Sequence, residues 1–240
     1  IAGTYYHPHN IGAENNEHVI ESWNWLFSKN NFSKKEFEEF LEAMSILRMI
    51  ISGKNEVAIQ HILGLAVDLK FLSDNKIDVE QKINELMSKI KGNWRKFNRL
   101  LNKGKEVYAE MHMRDMALTI SDMQAESVLA RIAYRLKLQI EMKKNPDLII
   151  DSVRVEVKND RHDETNSERF ESKVDKGLEQ GGELVSIFTD LKKKSHKNKK
   201  ITWYASEPIS VALPVAIELC KKGRKCVLLF TGSNKGFFGR

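Results

Sequence analysis

The sequence has few of the residues that cross-link or stiffen small secreted proteins. It contains two cysteines and four prolines among 240 residues. Two cysteines in a chain of this length do not indicate an oxidising compartment. We therefore predict that Cys220 and Cys226 are buried thiols rather than a functional pair, and we expect an intracellular, cytoplasmic protein.

Long apolar runs and several common functional motifs are also missing. No segment reaches the ~20 apolar residues of a membrane span, and no charged leader precedes an apolar segment, so no membrane partner is expected. There is no CxxC pair for zinc, no GxxxxGK[ST] phosphate loop and no serine elbow. ATP dependence is therefore not expected, and His7 and His9 are interpreted as part of a flexible terminus rather than a metal pair.

The composition is compatible with several classes of folded protein. Hydrophobic residues make up 41% of the chain, which is enough to build a core. The formal net charge is +6 and the sequence pI is about 9.1. Moderate positive charge suits nucleic acid, but it is also found in many lysine-rich proteins. Charge alone therefore does not decide the function.

The first half of the chain, residues 1–115, shows helical periodicity and no strand alternation. Ser33 and Glu36 form a capping-box pattern that opens one helix. The other predicted helices cover Val19–Phe27, Glu56–Leu72 and Asp78–Leu101. We expect this all-helical region to position substrate or a partner, and a homodimer or another protein partner would bind through it.

Two basic segments are candidates for following a phosphate backbone. One covers residues 192–200 and is equally typical of a solvated loop. The other covers residues 89–105, where lysines and arginines alternate with Trp94 and Phe97. We predict that these two aromatic side chains anchor the core, which leaves the charged side chains free to meet phosphates.

Strands and helices alternate in the second half, residues 116–240. A helix over Leu118–Met142 is predicted to precede a β-hairpin. The later predicted elements are helices over Ser167–Gln180 and Pro208–Lys222 and strands over Leu184–Phe188, Ile201–Ala205 and Cys226–Phe230. This alternation favours an α/β (α+β) domain in which helices flank both faces of a mixed sheet.

The predicted hairpin brings charged residues together. Two apolar runs meet at an Asp-Ser turn, and a two-residue turn at this point places Asp147 directly opposite Glu156. Opposed side chains in a hairpin have Cβ atoms roughly 5 Å apart. Lys158 lies on the same face as Glu156. Two carboxylates this close are unfavourable unless something positive lies between them, so we predict a divalent cation.

A simpler interpretation of the same residues is an exposed strand. Glu-x-Lys on one strand face is a common solvated salt-bridge pattern, and Asp after Pro often marks a turn. The neighbouring residues weigh against this interpretation, because Ile149, Ile150 and the valines of the second run predict a well-buried hairpin. Its polar face is then expected in a concave or functional environment.

The order Pro146-Asp147, followed by Glu156-Val157-Lys158, resembles the PD-(D/E)XK nuclease superfamily, which includes many restriction endonucleases and Holliday junction resolvases. The resemblance implies that Asp147 and Glu156 bind magnesium, with the backbone carbonyl of Val157 as a further ligand. It also implies that Lys158 activates or positions the attacking water.

The resemblance covers residues 119–230 and implies a restriction-endonuclease-like fold. It further implies an acidic catalytic residue on the helix before the hairpin. Glu126 fits that position, but Asp122 lies one turn earlier on the same face, so the choice between them stays open. A surface pair between Glu126 and Arg131 or Lys137 is the structural alternative.

Three residues of the helix after the hairpin are candidates for nucleic-acid binding. Gln180 resembles the glutamine that several family members have near the site. Lys173 and Lys176 are candidate phosphate contacts, with solvated lysines as the alternative for both.

Together these features predict a metal-dependent nuclease. A hard cation held by carboxylates lowers the pKa of a bound water and neutralises phosphate charge, and Mg²⁺ typically takes one or two carboxylates. A DNA endonuclease is favoured because most of the superfamily cuts DNA. Whether Lys158 is a general base or an electrostatic anchor stays open. The alternatives are an RNA endonuclease of the same fold, a catalytically silent nucleic-acid-binding module, and an interaction protein whose hairpin is coincidental.

Overall fold

The computed structural model describes most of the chain. The described residues are 16–30, 33, 35–36, 39, 56–160, 167–189, 202–204 and 209–230. The predicted terminal histidine pair, most of the helix after Ser33, and the basic segment 192–200 lie outside these residues. Within them, no helix combines the length and the apolar character that crossing a membrane requires.

In the described part of the chain, four helices precede the sheet. They are α1 (Asn16–Ser28), α2 (Glu56–Asp74), α3 (Glu80–Leu101) and α4 (Glu106–Arg135). Trp94 is buried, as expected of a core anchor, and it stacks on the half-buried Phe97 with ring centroids 5.5 Å apart. The capping box is also confirmed, because the Ser33 amide donates to Glu36 Oε2 at 2.9 Å and the Glu36 amide donates to Ser33 Oγ at 3.2 Å.

The chain divides into two compact units, with the division between Gln124 and Ala125 inside α4. The boundary predicted at residues 115 and 116 lies earlier in the same helix. The unit that begins at Ala125 contains the whole sheet. It therefore contains Asp147, Glu156, Lys158 and Gln180.

Among the described residues, six strands form one mixed sheet in the order β1-β2-β3-β4-β6-β5. The strands are β1 (Ile140–Met142), β2 (Leu148–Ile150), β3 (Val153–Asn159), β4 (Leu184–Phe188), β5 (Thr202–Tyr204) and β6 (Cys226–Phe230). The first three pair antiparallel, and β3, β4, β6 and β5 pair parallel. Helix α5 (Ser167–Glu179) links β3 to β4, and α6 (Ile209–Lys221) links β5 to β6. The predicted mixed α/β architecture is therefore confirmed.

Helices cover both faces of the central strands. On one face, Phe170 and Val174 of α5 pack against Val185 and Ile187 of β4 and against β6. On the other face, α6 packs its buried side chains against the sheet, and its Cys220 thiol donates to the Glu183 carbonyl, just before β4, at 3.4 Å. Burial on both faces explains why every residue of β4 and β6 is buried, as in other parallel sheets. The prediction that both cysteines are buried thiols is confirmed.

The prediction of one helix over Leu118–Met142 was wrong at both ends. Helix α4 begins earlier, at Glu106, and ends at Arg135, and the last three residues of the predicted helix form β1. Lys137 takes a left-handed conformation, with φ 61°. The amides of Lys137 and Leu138 donate to the carbonyls of Tyr134 and Ala133, which is a Schellman end. Glycine usually occupies the left-handed position, so this end has no sequence signature.

We predict that Val174→Ala lowers the free energy of unfolding by about 2 kcal/mol, because it removes two buried methyl groups and leaves a cavity. Val211→Ala is the matched control, since both residues lie in helices but Val174 is 0% exposed and Val211 is 54% exposed. The control is expected within about 0.5 kcal/mol of wild type. Urea unfolding measures both, and equal effects would contradict the packing of α5 described here.

Candidate metal centre

The hairpin between β2 and β3 fixes the position of the two acidic residues. Its turn residues, Asp151 and Ser152, have φ of 48° and 71°, the combination of a type I′ turn. Ile150 pairs with Val153, and Leu148 pairs with Val155. One step further along this register, Asp147 lies opposite Glu156, as the sequence predicted. This is a position without ladder hydrogen bonds, where opposed side chains approach most closely.

The backbone on both sides of Asp147 holds its carboxylate in place. Asp147 Oδ2 accepts a hydrogen bond from the Val157 amide at 2.9 Å. The Asp147 carbonyl accepts one from the Lys143 amide at 3.0 Å, which extends the β1–β2 ladder. In a strand, the N–H and C=O of one residue point to the same side. The Val157 carbonyl therefore points to the side where Asp147 lies, which is the direction its predicted role as a ligand requires.

Glu156 is a buried carboxylate with an unsatisfied oxygen. The residue is 2% exposed. Its Oε2 accepts a hydrogen bond from Lys158 Nζ at 3.0 Å, whereas its Oε1 is buried and has no donor within reach among the described residues. Desolvation raises the pKa of Glu156, and the negative charge of Asp147 raises it further, while Lys158 opposes both effects. Glu156 is therefore harder to ionise than an exposed glutamate, and a proton on the pair or a bound cation would relieve the repulsion from Asp147.

Lys158 bridges the strand and the helix that covers it. Its side chain is 20% exposed, and its Nζ donates to Glu156 Oε2 and to Gln180 Oε1. Gln180 follows the last residue of α5. The structure thus brings together four of the residues proposed from sequence, namely Asp147, Glu156, Lys158 and Gln180.

Two glycines, Gly181 and Gly182, lie at the end of α5. The sequence predicted only that they end the helix. The amides of Gly181 and Gly182 donate to the carbonyls of Leu178 and Gly177, and Gly181 has φ 89°. This is a Schellman end with glycine in the left-handed position. A Cβ at Gly182 would lie 2.9 Å from the Gly177 carbonyl oxygen and 3.1 Å from Cβ and Cγ of Glu156. Gly182 therefore gives the Glu156 side chain its space.

A second polar cluster, centred on Asp160, lies just beyond the end of β3. The Asp160 side chain is fully buried, and Lys173 Nζ donates to Asp160 Oδ1 and to the Asn159 carbonyl, both at 2.9 Å. The Thr189 hydroxyl lies 3.4 Å from Asp160 Oδ2. Lys173, a predicted phosphate contact, is thus only 18% exposed. Lys176, the other predicted phosphate contact, is exposed.

Glu126 lies on α4 and is half-buried, while Asp122 on the same helix is exposed. Within the described part of the chain, no group of three or more His, Cys, Asp or Glu side chains has the geometry of a metal site. The structure therefore does not bring Glu126 into a three-carboxylate cluster with Asp147 and Glu156. A catalytic role for Glu126 stays a prediction.

The residues present fit a hard divalent cation. Carboxylate and carbonyl oxygens are the ligands that Mg²⁺ and Mn²⁺ prefer, and Mg²⁺ keeps several waters when only one or two carboxylates bind it. Asp147, Glu156 and the Val157 carbonyl supply such a set, and the unsatisfied Glu156 Oε1 is available to a cation. The set does not suit Zn²⁺, which takes mainly nitrogen and sulfur ligands.

Comparison with protein-family models, with curated proteins and with solved structures gives no significant match. The assignment of this site therefore depends on its own geometry and on the resemblance of its motif.

We predict that Gly182→Ala lowers the free energy of unfolding by about 1–3 kcal/mol, because the added methyl group meets a backbone oxygen and the Glu156 side chain. Gly92→Ala is the control, since that glycine lies within α3 and an added Cβ there would have no neighbouring atom within 4 Å outside the backbone of its own helix. The control is expected to be neutral or to stabilise by about 0.5–1 kcal/mol. Urea unfolding of both variants tests this, and a neutral Gly182→Ala would contradict the close contact at Glu156.

We predict that Glu156→Gln raises the free energy of unfolding at pH 7 in EDTA by about 1 kcal/mol, because the amide carries no charge and can donate to Asp147. The folded-state pKa of Glu156 lies above its ordinary value of 4.5. Its protonated form therefore stabilises the fold at acid pH, and this stabilisation is lost as the pH rises through the folded-state pKa. The advantage of the glutamine variant should accordingly shrink between pH 7 and pH 4.

Added Mn²⁺ should reverse the order of stability at pH 7, because a cation that binds only the folded wild type stabilises it by mass action. Glu141→Gln is the control, since that carboxylate is 60% exposed in its pair with Lys143. Thermal unfolding with EDTA and with Mn²⁺ measures both effects. A glutamine variant that is less stable than wild type in EDTA would show that the acid pair is not strained.

Proposed function

We propose that this chain is a metal-dependent nuclease of the PD-(D/E)XK type, with a restriction-endonuclease-like arrangement of its sheet. One observation carries the proposal. The register of the hairpin places Asp147 against Glu156, and the buried Glu156 Oε1 has no donor within reach among the described residues, while Lys158 lies 3.0 Å from the other oxygen. A purely structural cluster would be expected to satisfy that oxygen.

Asp147, Glu156 and the Val157 carbonyl would hold Mg²⁺ or Mn²⁺. When bound, such an ion lowers the pKa of an attacking water and neutralises charge on the phosphate. The chain's own residues orient this chemistry. The Val157 amide fixes the direction of the Asp147 carboxylate, and the burial of Glu156 keeps bulk water from competing for its oxygens.

The contacts of Lys158 favour a role as an electrostatic anchor rather than a general base. Its ammonium group donates to Glu156 and to Gln180, which hold it at the edge of the acidic pair. An ammonium group has three donors, so one remains to meet a phosphate oxygen. A fixed positive charge at this point stabilises the charge that develops as the phosphodiester bond is attacked.

DNA is the proposed substrate, by resemblance to a superfamily that mostly cuts DNA. Two exposed lysines flank the site. Lys144 lies in the β1–β2 loop close to Asp147, and Lys176 lies on α5, one turn before Gln180. Both suit contact with a phosphate backbone. RNA is the alternative substrate, and a silent nucleic-acid-binding module is the alternative function.

We predict that purified protein cuts plasmid or linear DNA with Mg²⁺ or Mn²⁺ and not with EDTA. Asp147→Asn and Lys158→Met should each lower kcat by about 100-fold or more, since each removes a group that acts on the reacting phosphate. Asp74→Asn and Lys70→Met are matched controls, because these residues form an ion pair at 2.9 Å on α2. The controls should cut at the wild-type rate.

Parallel assays with single-stranded DNA and RNA distinguish the substrates. Cleavage that persists in EDTA, or that survives in Asp147→Asn, would refute the site assignment. If wild type cuts nothing but binds DNA with steep salt dependence, the binding-module alternative replaces the nuclease.

A further inference from the structure

We infer that the buried ion pair between Asp160 and Lys173 is a positioning device that sets α5 over β3 and so holds Gln180 against Lys158. Its meaning for catalysis rests on the proposed nuclease function. Lys173 thus supports the site through Asp160 and does not contact phosphate.

The pair fastens the middle of α5 to the ends of the parallel strands. The Asp160 side chain is 0% exposed, and its amide donates to the Phe188 carbonyl at 2.7 Å. The Thr189 amide donates in turn to the Phe230 carbonyl at 3.0 Å. Asp160 is therefore fixed to β4, which is fixed to β6, and Lys173 attaches α5 to this frame.

Lys173 and Gly177 of α5, and Gln180 just after its end, lie on the side of the helix that contacts β3 and β4. Lys173, Gly177 and Gln180 stand at positions i, i+4 and i+7, which fall on the same side of a helix. The first contacts Asp160 and the last contacts Lys158. Asp160 directly follows β3 and its amide continues the ladder to β4, so its side chain lies on the same sheet face as that of Lys158, two residues earlier. The helix and the strand are thus joined at two points by polar contacts.

Close packing between these two points makes the connection stiff. A Cβ at Gly177 would lie 2.9 Å from both methyl groups of Val185, so the helix backbone already lies close to β4. Gly182, just after Gln180, has the similarly small clearance from Glu156 described above. A shift of α5 at Lys173 would therefore move Gln180 relative to both Lys158 and Glu156.

The environment of Lys173 does not suit a phosphate contact. Its side chain is 18% exposed, and its ammonium group donates to two protein oxygens. Lys176, one turn along the same helix, is exposed and therefore available to a phosphate. The two lysines allow a direct comparison of a positioning role with a binding role.

The experiment compares Lys173→Met, Asp160→Asn, the double variant and Lys176→Met, with Lys70→Met as the neutral control. We expect Lys173→Met and Asp160→Asn each to lower kcat by at least 10-fold, with KM within about two-fold of wild type. The double variant should lose no more than either single variant, because both changes break one connection. Lys176→Met should instead raise KM and reduce the salt dependence of DNA binding.

A second readout does not depend on cleavage. The rate at which Lys158 is acetylated by an amine-reactive reagent, followed by mass spectrometry, reports how well Gln180 and Glu156 protect its amine. We expect this rate to rise several-fold in Lys173→Met and Asp160→Asn and to match wild type in Lys176→Met. If wild type cuts no nucleic acid, the proposed function fails and the acetylation rate alone decides the positioning inference.

Circular dichroism and thermal unfolding identify variants that do not fold. Removing one partner leaves the other charge buried and unpaired, which can prevent folding. If a single variant does not fold, the double variant, which removes both charges, takes its place in the test. A lowered kcat with faster acetylation of Lys158 supports the inference. It is overturned if Lys173→Met raises KM at unchanged kcat, or if the folded variants keep both the wild-type kcat and the wild-type acetylation rate.

Discussion

The repulsion between Asp147 and Glu156 is the constraint on which the candidate site depends. A hairpin whose turn residues both take left-handed conformations fixes its register, so the two acidic residues lie opposite each other. Glu156 is also buried, which removes the water that would screen the charges. A fold that maintains such an arrangement gains nothing in stability from it, so the arrangement points to a function.

The rest of the sheet domain supports that pair. Parallel strands β4 and β6, buried on both faces, give β3 a rigid neighbour, and α5 covers the face on which Glu156 lies. The Schellman end of α5 then places Gly182 against Glu156 and Gln180 against Lys158. The local conformation of one helix end thus determines both the space around the acid and the partner of the lysine.

The sequence predicted the parts of the fold in which local pattern and tertiary environment agree. Alternating valines and an Asp-Ser turn gave the hairpin, and fully apolar runs gave the buried strands β4 and β6. The end of α4 was missed because Lys137 occupies a position where glycine is usual. The roles of Gly182 and Asp160 were also missed, since each depends on contacts between segments that are distant in sequence. Gln180 was found only through the family resemblance, and its contact with Lys158 agrees with that prediction.

Anomalous diffraction from crystals soaked in MnCl₂ tests the central claim most directly, because it locates the ion without reference to any substrate. We expect one strong peak about 2.1 Å from oxygens of Asp147 and Glu156, with the Val157 carbonyl as a third protein ligand and waters completing the shell. At saturating Mn²⁺, an absent peak, or carboxylates turned away from each other, would contradict the proposed metal site at Asp147 and Glu156.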